Sequence, residues 1–233
     1  MLQNTKDLYD YKLTALDGDI GQVKDLYFDD KTWVIRYLVA HTESWLPGRL
    51  VLLSPHALGK LDQTAKTLHV KLHKKQIESS PAIESHMPIS RQYEIAYHRY
   101  YGWPAYWNPG GIYGYGGYPV DLPPTKDEME VHLQGHEKDR HLQSAKAITG
   151  YHIQTVDGAI GQVTGFMVDD KIWAIRELVV EAGHWYSGKE ILISPGKIER
   201  ISYQESEVFV NLTKADIQRT GKNEVAKAGA SNH

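Results

Sequence analysis

Histidine is the residue type whose spacing in this chain comes closest to a metal site. His132 and His136 lie four residues apart, so a helix would place both rings on one face, where they could bind a metal ion. His141 follows five residues later and shares that face only in part. Because this spacing gives no third ligand in register, we treat His132 and His136 as weak metal candidates and expect no cofactor.

Serine and aspartate offer little for nucleophilic or acid–base catalysis. Ser54 and Ser194 each precede a proline, a position that turn chemistry explains, and neither lies in the Gly-x-Ser-x-Gly pattern of a nucleophile elbow. The Asp-Asp pairs at 29–30 and 169–170 are typical of solvated turns. We therefore predict that the protein is not an enzyme.

The composition restricts the classes of function further. The 233-residue chain has no cysteine, which excludes disulfides, thiol catalysis and cysteine-based metal sites. Its net charge of -3 argues against binding nucleic acid by neutralising phosphates. No run approaches the roughly 18 apolar residues of a membrane span, and the first residues lack the apolar core of a signal peptide. We therefore expect a cytoplasmic protein without a transmembrane segment.

Two copies of one pattern occupy most of the chain, at an offset of 140 residues. Tyr11 recurs as Tyr151, and the triplet at 21–23 recurs at 161–163. Roughly two dozen of about seventy positions are identical without a gap, a similarity far above chance. The repeat divides the chain into a first β-domain at 1–80, a linker at 81–147, a second β-domain at 148–220 and a polar tail at 221–233.

Each copy has the pattern of short strands separated by turns. In residues 21–28 the apolar positions change parity between Val23 and Leu26, which predicts a β-bulge. Residues 33–39 are apolar on both faces, as expected of a central strand. We expect a mainly β fold in which each copy closes into a small barrel and ends in a helical turn, because closure removes exposed strand edges.

An arginine occupies the same place in both central strands. By alternation, Arg36 shares a strand face with Leu38, and Arg176 shares one with Leu178. Since an isolated charge in a core is costly, we expect each arginine to pair with a turn aspartate. The candidates in the first copy are Asp17, Asp29 and Asp30. An anion or a carboxylate of a partner is the alternative ligand.

The linker is rich in aromatic residues, which disordered linkers usually lack. Residues 90–101 have the pattern of a short helix that begins at Ser90 and stops at Gly102, and residues 125–146 that of a second, polar helix. The aromatic candidates for binding a partner are Tyr100, Tyr101, Trp103, Tyr106, Trp107, Tyr113, Tyr115 and Tyr118.

Three uses of these aromatic residues stay open. They could pack within the chain or a dimer, bind a protein partner, or contact a membrane interface or a single nucleic-acid strand. The lack of flanking lysine and arginine argues against nucleic acid. Peripheral membrane association stays open, and the linker is the segment that would mediate it.

Four motifs of the first copy recur in the second: Asp17-Gly18 with Gly21-Gln22-Val23, the segment 29–39, the turn at 45–49, and Ser54-Pro55. In these motifs the chain resembles the PRC-barrel family, named after the cytoplasmic domain of the photosynthetic reaction-centre H subunit. The resemblance covers about 60% of the chain. It implies two six-stranded barrels in tandem, with roles in docking and regulation, and it carries over no catalytic residue.

The function predicted on this basis is that of a non-enzymatic interaction or scaffold protein. Paired barrels and the aromatic linker would bind a protein partner or a second copy of the chain. The alternative is a protein that responds to a small ligand or a metal bound between the barrels.

Overall fold

The first half of the chain is built from short strands and small helices. A computed structural model describes residues 1–42, 45–46, 49–81, 89, 91–105, 142–183 and 188–219. In chain order the first half contains β1 (Leu2–Asn4), α1 (Thr5–Leu8), β2 (Lys12–Ala15), β3 (Gly18–Asp29), β4 (Val34–His41), β5 (Leu50–Leu53), β6 (Leu58–Asp62), β7 (Thr67–Val70), α2 (Lys74–Glu78) and α3 (Arg91–Tyr101). A 3-10 turn, Pro55–Ala57, joins β5 to β6.

The second half repeats most of these elements 140 residues later. It contains β8 (Leu142–Ser144), α4 (Ala145–Ile148), β9 (His152–Thr155), β10 (Gly158–Asp169), β11 (Ala174–Ala182), β12 (Glu190–Ile193), β13 (Ile198–Ser202), β14 (Glu207–Val210) and a helical turn, α5, at 214–219. The 3-10 turn Pro195–Lys197 joins β12 to β13. The helical turns expected at the end of each copy, α2 and α5, are confirmed.

Strand pairing joins both halves into one 14-stranded sheet. The first half has the order β5-β4-β3-β2-β7-β6, and the second half has the order β12-β11-β10-β9-β14-β13. Within the described residues, β5 does not pair with β6 and β12 does not pair with β13, so the sheet does not close. The mainly β class is therefore confirmed, whereas backbone pairing does not close either half into a barrel.

The parity change in the long strand is the predicted bulge. In the first half Val23 pairs with Ala40 and Asp25 pairs with Val39, so Lys24 is the extra residue. The second half has the same shift between Val163 and Gly165. The bulge lets β3 keep Val23 and Leu26 in the core, although they differ in parity.

The halves meet through their central strands. Val34 of β4 pairs with Ala174 of β11. The Ile35 nitrogen donates to the Trp173 oxygen at 2.7 Å, and the Ile175 nitrogen donates to the Trp33 oxygen at 2.8 Å. Both tryptophans have left-handed backbones, with φ of 58° and 51°, which is rare for a bulky residue. This pairing is therefore two-fold symmetric and is supported by two strained turns.

Two short arms cross between the halves. We call Leu2–Leu8 (β1 and α1) the first arm and Leu142–Ile148 (β8 and α4) the second arm. The first arm pairs with β10 of the second half, with Gln3 opposite Val168, and the second arm pairs with β3 of the first half, with Gln143 opposite Phe28. The helix expected over 125–146 is thus wrong for 142–144, which form a strand, and 125–141 lie outside the described residues.

The arms complete one core that runs through both halves. Leu8 of the first arm and Ile148 of the second are each 1% exposed and belong to the same apolar cluster. Phe28 and Phe166, one from each half, are fully buried in this cluster with ring centroids 5.6 Å apart. Burial of these side chains supplies the main driving force that keeps the halves together.

Candidate interaction surface

Helix α3 packs against the outer face of the first half. Tyr37 and Val39 of β4 and Leu52 of β5 form a second buried apolar cluster with Tyr97 of α3, separate from the core that contains Leu38. The Tyr97 ring meets the Tyr37 ring edge-on at 5.4 Å. The beginning of the linker is thus a fixed part of the first half.

The helix ends near the predicted position. It covers Arg91–Tyr101, and Gly102 follows with a φ of 67°, a conformation that glycine adopts without strain. Ser90, the predicted first residue, lies outside the described residues. Among the described helices, none is both long and apolar enough to cross a membrane.

A buried polar chain lies beneath α3. The Tyr37 hydroxyl donates to Glu94 Oε1 at 3.0 Å and lies 3.0 Å from His98 Nε2, while His98 Nδ1 lies 3.0 Å from the Pro104 oxygen. Tyr37 and Glu94 are 0% exposed and His98 is 4% exposed. Burial lowers the pKa of His98 below its usual value, because desolvation disfavours the imidazolium. These contacts hold α3 on β4.

The Tyr97 hydroxyl binds the backbone of the first half. It accepts from the Ser54 nitrogen at 3.1 Å and donates to the Leu52 oxygen at 2.9 Å. Burial raises the pKa of Tyr97 well above its usual value, so the hydroxyl stays protonated. One side chain therefore satisfies two buried backbone groups at the end of β5.

The predicted aromatic residues at the end of α3 form a stack. The Tyr101 and Trp103 rings are parallel at 4.4 Å, and Tyr100 meets Tyr101 edge-on at 4.8 Å. Tyr101 and Trp103 pack on both apolar clusters, whereas Tyr100 is 42% exposed. The remaining predicted site residues lie outside the described residues; they are Tyr106, Trp107, Tyr113, Tyr115, Tyr118, His132 and His136.

The corresponding face of the second half has a different chemistry. The position of Tyr37 is taken by Glu177, and that of Leu50 by Glu190. A helix with the side chains of α3 would therefore place its Glu94 against a second carboxylate there. Among the described residues, the surface built around α3 is particular to the first half.

The two shared arginines lie at β-bulges. Tyr27 pairs with Tyr37 and Phe28 with Ile35, so Arg36 has no position in the ladder and does not share the interior face of Leu38, contrary to the alternation argument. Arg176 occupies the same bulge in β11. Their side chains are 17% and 52% exposed, so the expected burial is wrong for Arg176.

Each bulge arginine has a turn aspartate as its neighbour. Arg36 Nη2 lies 3.4 Å from Asp29 Oδ2, and Arg176 Nη2 lies 3.7 Å from Asp169 Oδ2. Asp29 is one of the three aspartates that the sequence predicts for this role. The Asp29 carboxylate also accepts from the Lys31 nitrogen at 2.9 Å. The arginine therefore braces the turn that presents Trp33.

The sequence suggested that the Asp-Asp turns are solvated. In the structure their carboxylates make specific contacts. Asp29 is 7% exposed. Asp30 Oδ2 accepts from Gln143 Nε2 at 3.1 Å and from the Tyr203 hydroxyl at 3.0 Å, both in the second half of the chain. Asp170 Oδ2 accepts from Gln3 Nε2 at 3.1 Å. Each turn thus clamps the arm that crosses from the other half.

A shallow cavity of about 320 Å³ lies on the second half. Its polar lining side chains are His152, Gln162 and Glu181, with Gly161 and Gly183 at its wall. The alternative prediction from the sequence was a ligand site between the barrels, whereas this cavity lies within the second half. Across the described ranges, no group of three histidine, aspartate or glutamate side chains is arranged to bind a metal.

Sequence reasoning missed Tyr37, Glu94 and His98 as a cluster and missed both arms. The available signal for the arms was the repeat itself, because Leu2-Gln3 recurs as Leu142-Gln143 outside the aligned copies. For the polar chain the signal was the i, i+4 spacing of Glu94 and His98 on a predicted helix.

Comparison with known proteins gives no family for the chain. No protein-family model matches it, and no curated protein is detectably similar to it.

Proposed function

We propose that this chain is a non-enzymatic interaction protein in which two PRC-barrel-like halves form the base for an aromatic binding segment. The strand order common to both halves supports this reading, as do the motifs that resemble the family. The common offset of the strand bounds supports an origin by duplication.

The anchoring of α3 carries the proposal. Tyr97 is fully buried against β4 and β5, and one turn later Tyr100 is 42% exposed beside the Tyr101–Trp103 stack. The Tyr/Trp/Gly-rich segment therefore starts from a fixed point on the first half. Aromatic side chains that are held in place before binding lose little entropy on contact, which is why they dominate interface hot spots.

The buried polar chain supports a non-catalytic reading. Tyr37, Glu94 and His98 form a titratable cluster, yet their exposed fractions are 0%, 0% and 4%. A substrate would reach them only after α3 had left the sheet. Their contacts with one another and with Pro104 give them a structural role in holding the helix.

Site-specific photo-crosslinking tests the proposal. A benzophenone amino acid replaces Tyr100 in one variant and, as the matched control, replaces Leu16, which is 62% exposed in the turn after β2. We expect position 100 to crosslink one distinct protein that position 16 does not. Equal crosslinking patterns at the two positions would contradict an aromatic docking surface beside α3.

A second variant set measures the contribution of the aromatic residues once that partner is identified. We expect Tyr100→Ala and Trp107→Ala each to weaken binding by about ten-fold or more, the typical effect at an aromatic hot spot. Leu16→Ala should leave the affinity unchanged. Titration calorimetry with the purified partner gives these dissociation constants directly.

Small-ligand binding is the alternative function, and the shallow depression on the second half is where the described residues would place such a ligand. His152, Gln162 and Glu181 offer one ring, one amide and one carboxylate to a small polar molecule. Thermal shift against a panel of metals, amines and small anions tests this function, with Glu181→Gln as the matched variant. A stabilisation that disappears in the variant supports it, and a flat panel contradicts it.

A further inference from the structure

Each crossing arm contacts the opposite half at one equivalent position of the long strand. The residues that make this contact differ in chemistry between the two halves. In the first half this position is Asp25, and 140 residues later it is Gly165. Both follow the β-bulge of the long strand and contact the arm that arrives from the other half. This difference is independent of what the chain binds.

In the first half, the Asp25 carboxylate receives the second arm. Its Oδ2 accepts from the Ser144 hydroxyl at 2.6 Å, and its Oδ1 accepts from the Lys146 nitrogen at 3.1 Å. The same Oδ1 accepts from the Leu26 nitrogen of its own strand at 2.7 Å. We call the part of the long strand that receives an arm the groove of that half. The groove of the first half therefore supplies a carboxylate, and the arm supplies donors to it.

In the second half, the first arm supplies the acceptor. The Thr5 hydroxyl accepts from the Phe166 nitrogen at 3.0 Å. The Phe166 nitrogen is the counterpart of the Leu26 nitrogen. Gly165 leaves room for this approach, because an added Cβ would lie 3.0 Å from Asn4 Oδ1 and 3.1 Å from Thr5 Oγ1. Here the arm carries the side-chain oxygen atoms, and position 165 of the groove carries no side chain.

Exchanging the arms would break both arrangements. In the groove of the first half, the first arm would bring Asn4 Oδ1 and Thr5 Oγ1 against the Asp25 side chain, because a Cβ at the equivalent Gly165 already lies 3.0 Å and 3.1 Å from these two atoms. The second arm in the groove of the second half would place Ala145 where Thr5 stands, leaving the Phe166 nitrogen facing a methyl group. A buried N–H without an acceptor and a crowded contact at position 25 would each destabilise the exchanged arrangement.

We propose that positions 25 and 165, with the arm residues that face them, form a recognition code that pairs unlike halves. The partner that fits the first half is the second half, and a first half from another copy of the chain is rejected. Because the halves are joined within one chain, their high effective concentration directs this pairing to the same molecule. The code thereby prevents copies from linking through like halves into open assemblies.

A coupling experiment on the full chain tests the code. Gly165→Asp places a carboxylate against Asn4 and Thr5, and Asn4→Ser with Thr5→Ala gives the first arm the donors and the methyl of the second arm. The matched control is Gly196→Asp, at a glycine where an added Cβ meets nothing within 4 Å. Denaturant unfolding gives the equilibrium constant of each variant.

We expect Gly165→Asp to raise the unfolding constant about ten-fold or more above the Gly196→Asp control. The arm changes alone should also destabilise, because the Phe166 nitrogen loses its acceptor. The variant with all three substitutions should have an unfolding constant at least about ten-fold lower than the two separate effects together predict. If Gly165→Asp alone does not fold, folding of the combined variant counts as that recovery.

Additive effects, or a combined variant that does not fold, would overturn the code. The reverse set, Asp25→Gly with Ser144→Asn and Ala145→Thr, gives an independent measurement in the first half. There the same recovery is expected, because the acceptor for the Leu26 nitrogen moves from the groove to the arm.

Discussion

Val34 and Ala174 face each other across the junction of the halves as a non-hydrogen-bonded antiparallel pair, since the flanking hydrogen bonds belong to residues 33, 35, 173 and 175. Such pairs have Cα atoms about 4.5 Å apart, within the range that a disulfide bridges. We expect Val34→Cys with Ala174→Cys to oxidise within the folded monomer. The chain has no native cysteine, so the product is unambiguous.

A non-reducing gel and mass spectrometry measure this crosslink. Closure of a bridge between halves so far apart in sequence should add about 2–4 kcal/mol to the free energy of unfolding. The matched control pairs Val34→Cys with Ile172→Cys, because Ile172 is 54% exposed in the turn and is not the partner of Val34. Covalent dimers from the first pair would contradict the junction within one chain.

Removing the Tyr97 hydroxyl tests the attachment of α3. Tyr97→Phe leaves the Ser54 nitrogen and the Leu52 oxygen without their buried partner, so we expect a loss of about 1–3 kcal/mol in the free energy of unfolding. Tyr100→Phe is the matched change on the exposed side of the helix, where the hydroxyl donates to the Gln76 oxygen at 2.8 Å, and should cost only about 0.5 kcal/mol. Equal losses in the two variants would mean that the buried hydroxyl of Tyr97 contributes no more than an exposed one.

His98 should make stability depend on pH. Its pKa is lowered in the folded state from the usual 6.5, first of all because burial disfavours the imidazolium. The unfolded chain therefore binds more protons than the folded chain, and the free energy of unfolding falls as the pH drops below about 6.5. His98→Gln should flatten this decline, and the melting temperature between pH 7 and 5 measures it.

The control for this titration is the exposed His69 of β7. His69→Gln should keep the decline of the wild-type chain. If His98→Gln and the wild type lose stability in parallel on acidification, another group is responsible for the decline and the assignment to His98 is wrong.

Gly21 and Gly161 occupy positions where the backbones of neighbouring strands almost touch. A Cβ at Gly21 would lie 1.9 Å from the His41 oxygen, and one at Gly161 would lie 2.0 Å from the Glu181 oxygen. Both residues also have positive φ. We expect Gly21→Ala or Gly161→Ala to cost about 3 kcal/mol or more, because overpacking against backbone adds to conformational strain.

Gly188→Ala separates these two causes. Gly188 has a φ of 64°, and an added Cβ meets nothing within 4 Å, so only the conformational strain of about 1–2 kcal/mol remains. Chemical denaturation of the three variants gives the comparison. A loss at Gly21 no larger than that at Gly188 would show that the neighbouring strand moves aside.

The features that local sequence predicted are those whose cause is local. The parity change between Val23 and Leu26 predicted the bulge, and the apolar run after Trp33 predicted a strand with neighbours on both sides. The helix ending before Gly102 followed from its stop signal. In each case, the physical cause lies in residues that are close together in the sequence.

The features that sequence missed depend on distant partners. Three residues, Leu2–Asn4, are too few to show a strand pattern, and their partner strand ends at Asp169. Glu94 and His98 face inward because Tyr37 lies beneath them, and nothing local to α3 identifies Tyr37. The bulge at Arg36 was missed because its cause is the register of Phe28 on the neighbouring strand.

The crossing arms also determine when a newly made chain can finish folding. The edge of β3 receives its last strand only from residues 142–144, about 70 residues after β7 has been synthesised. At about 5–20 residues per second, the ribosome leaves the nascent first half incomplete for several seconds. During that interval Tyr27–Asp29 of β3 lack the strand that pairs with them in the native fold, so the first half completes its sheet only after the linker has been synthesised.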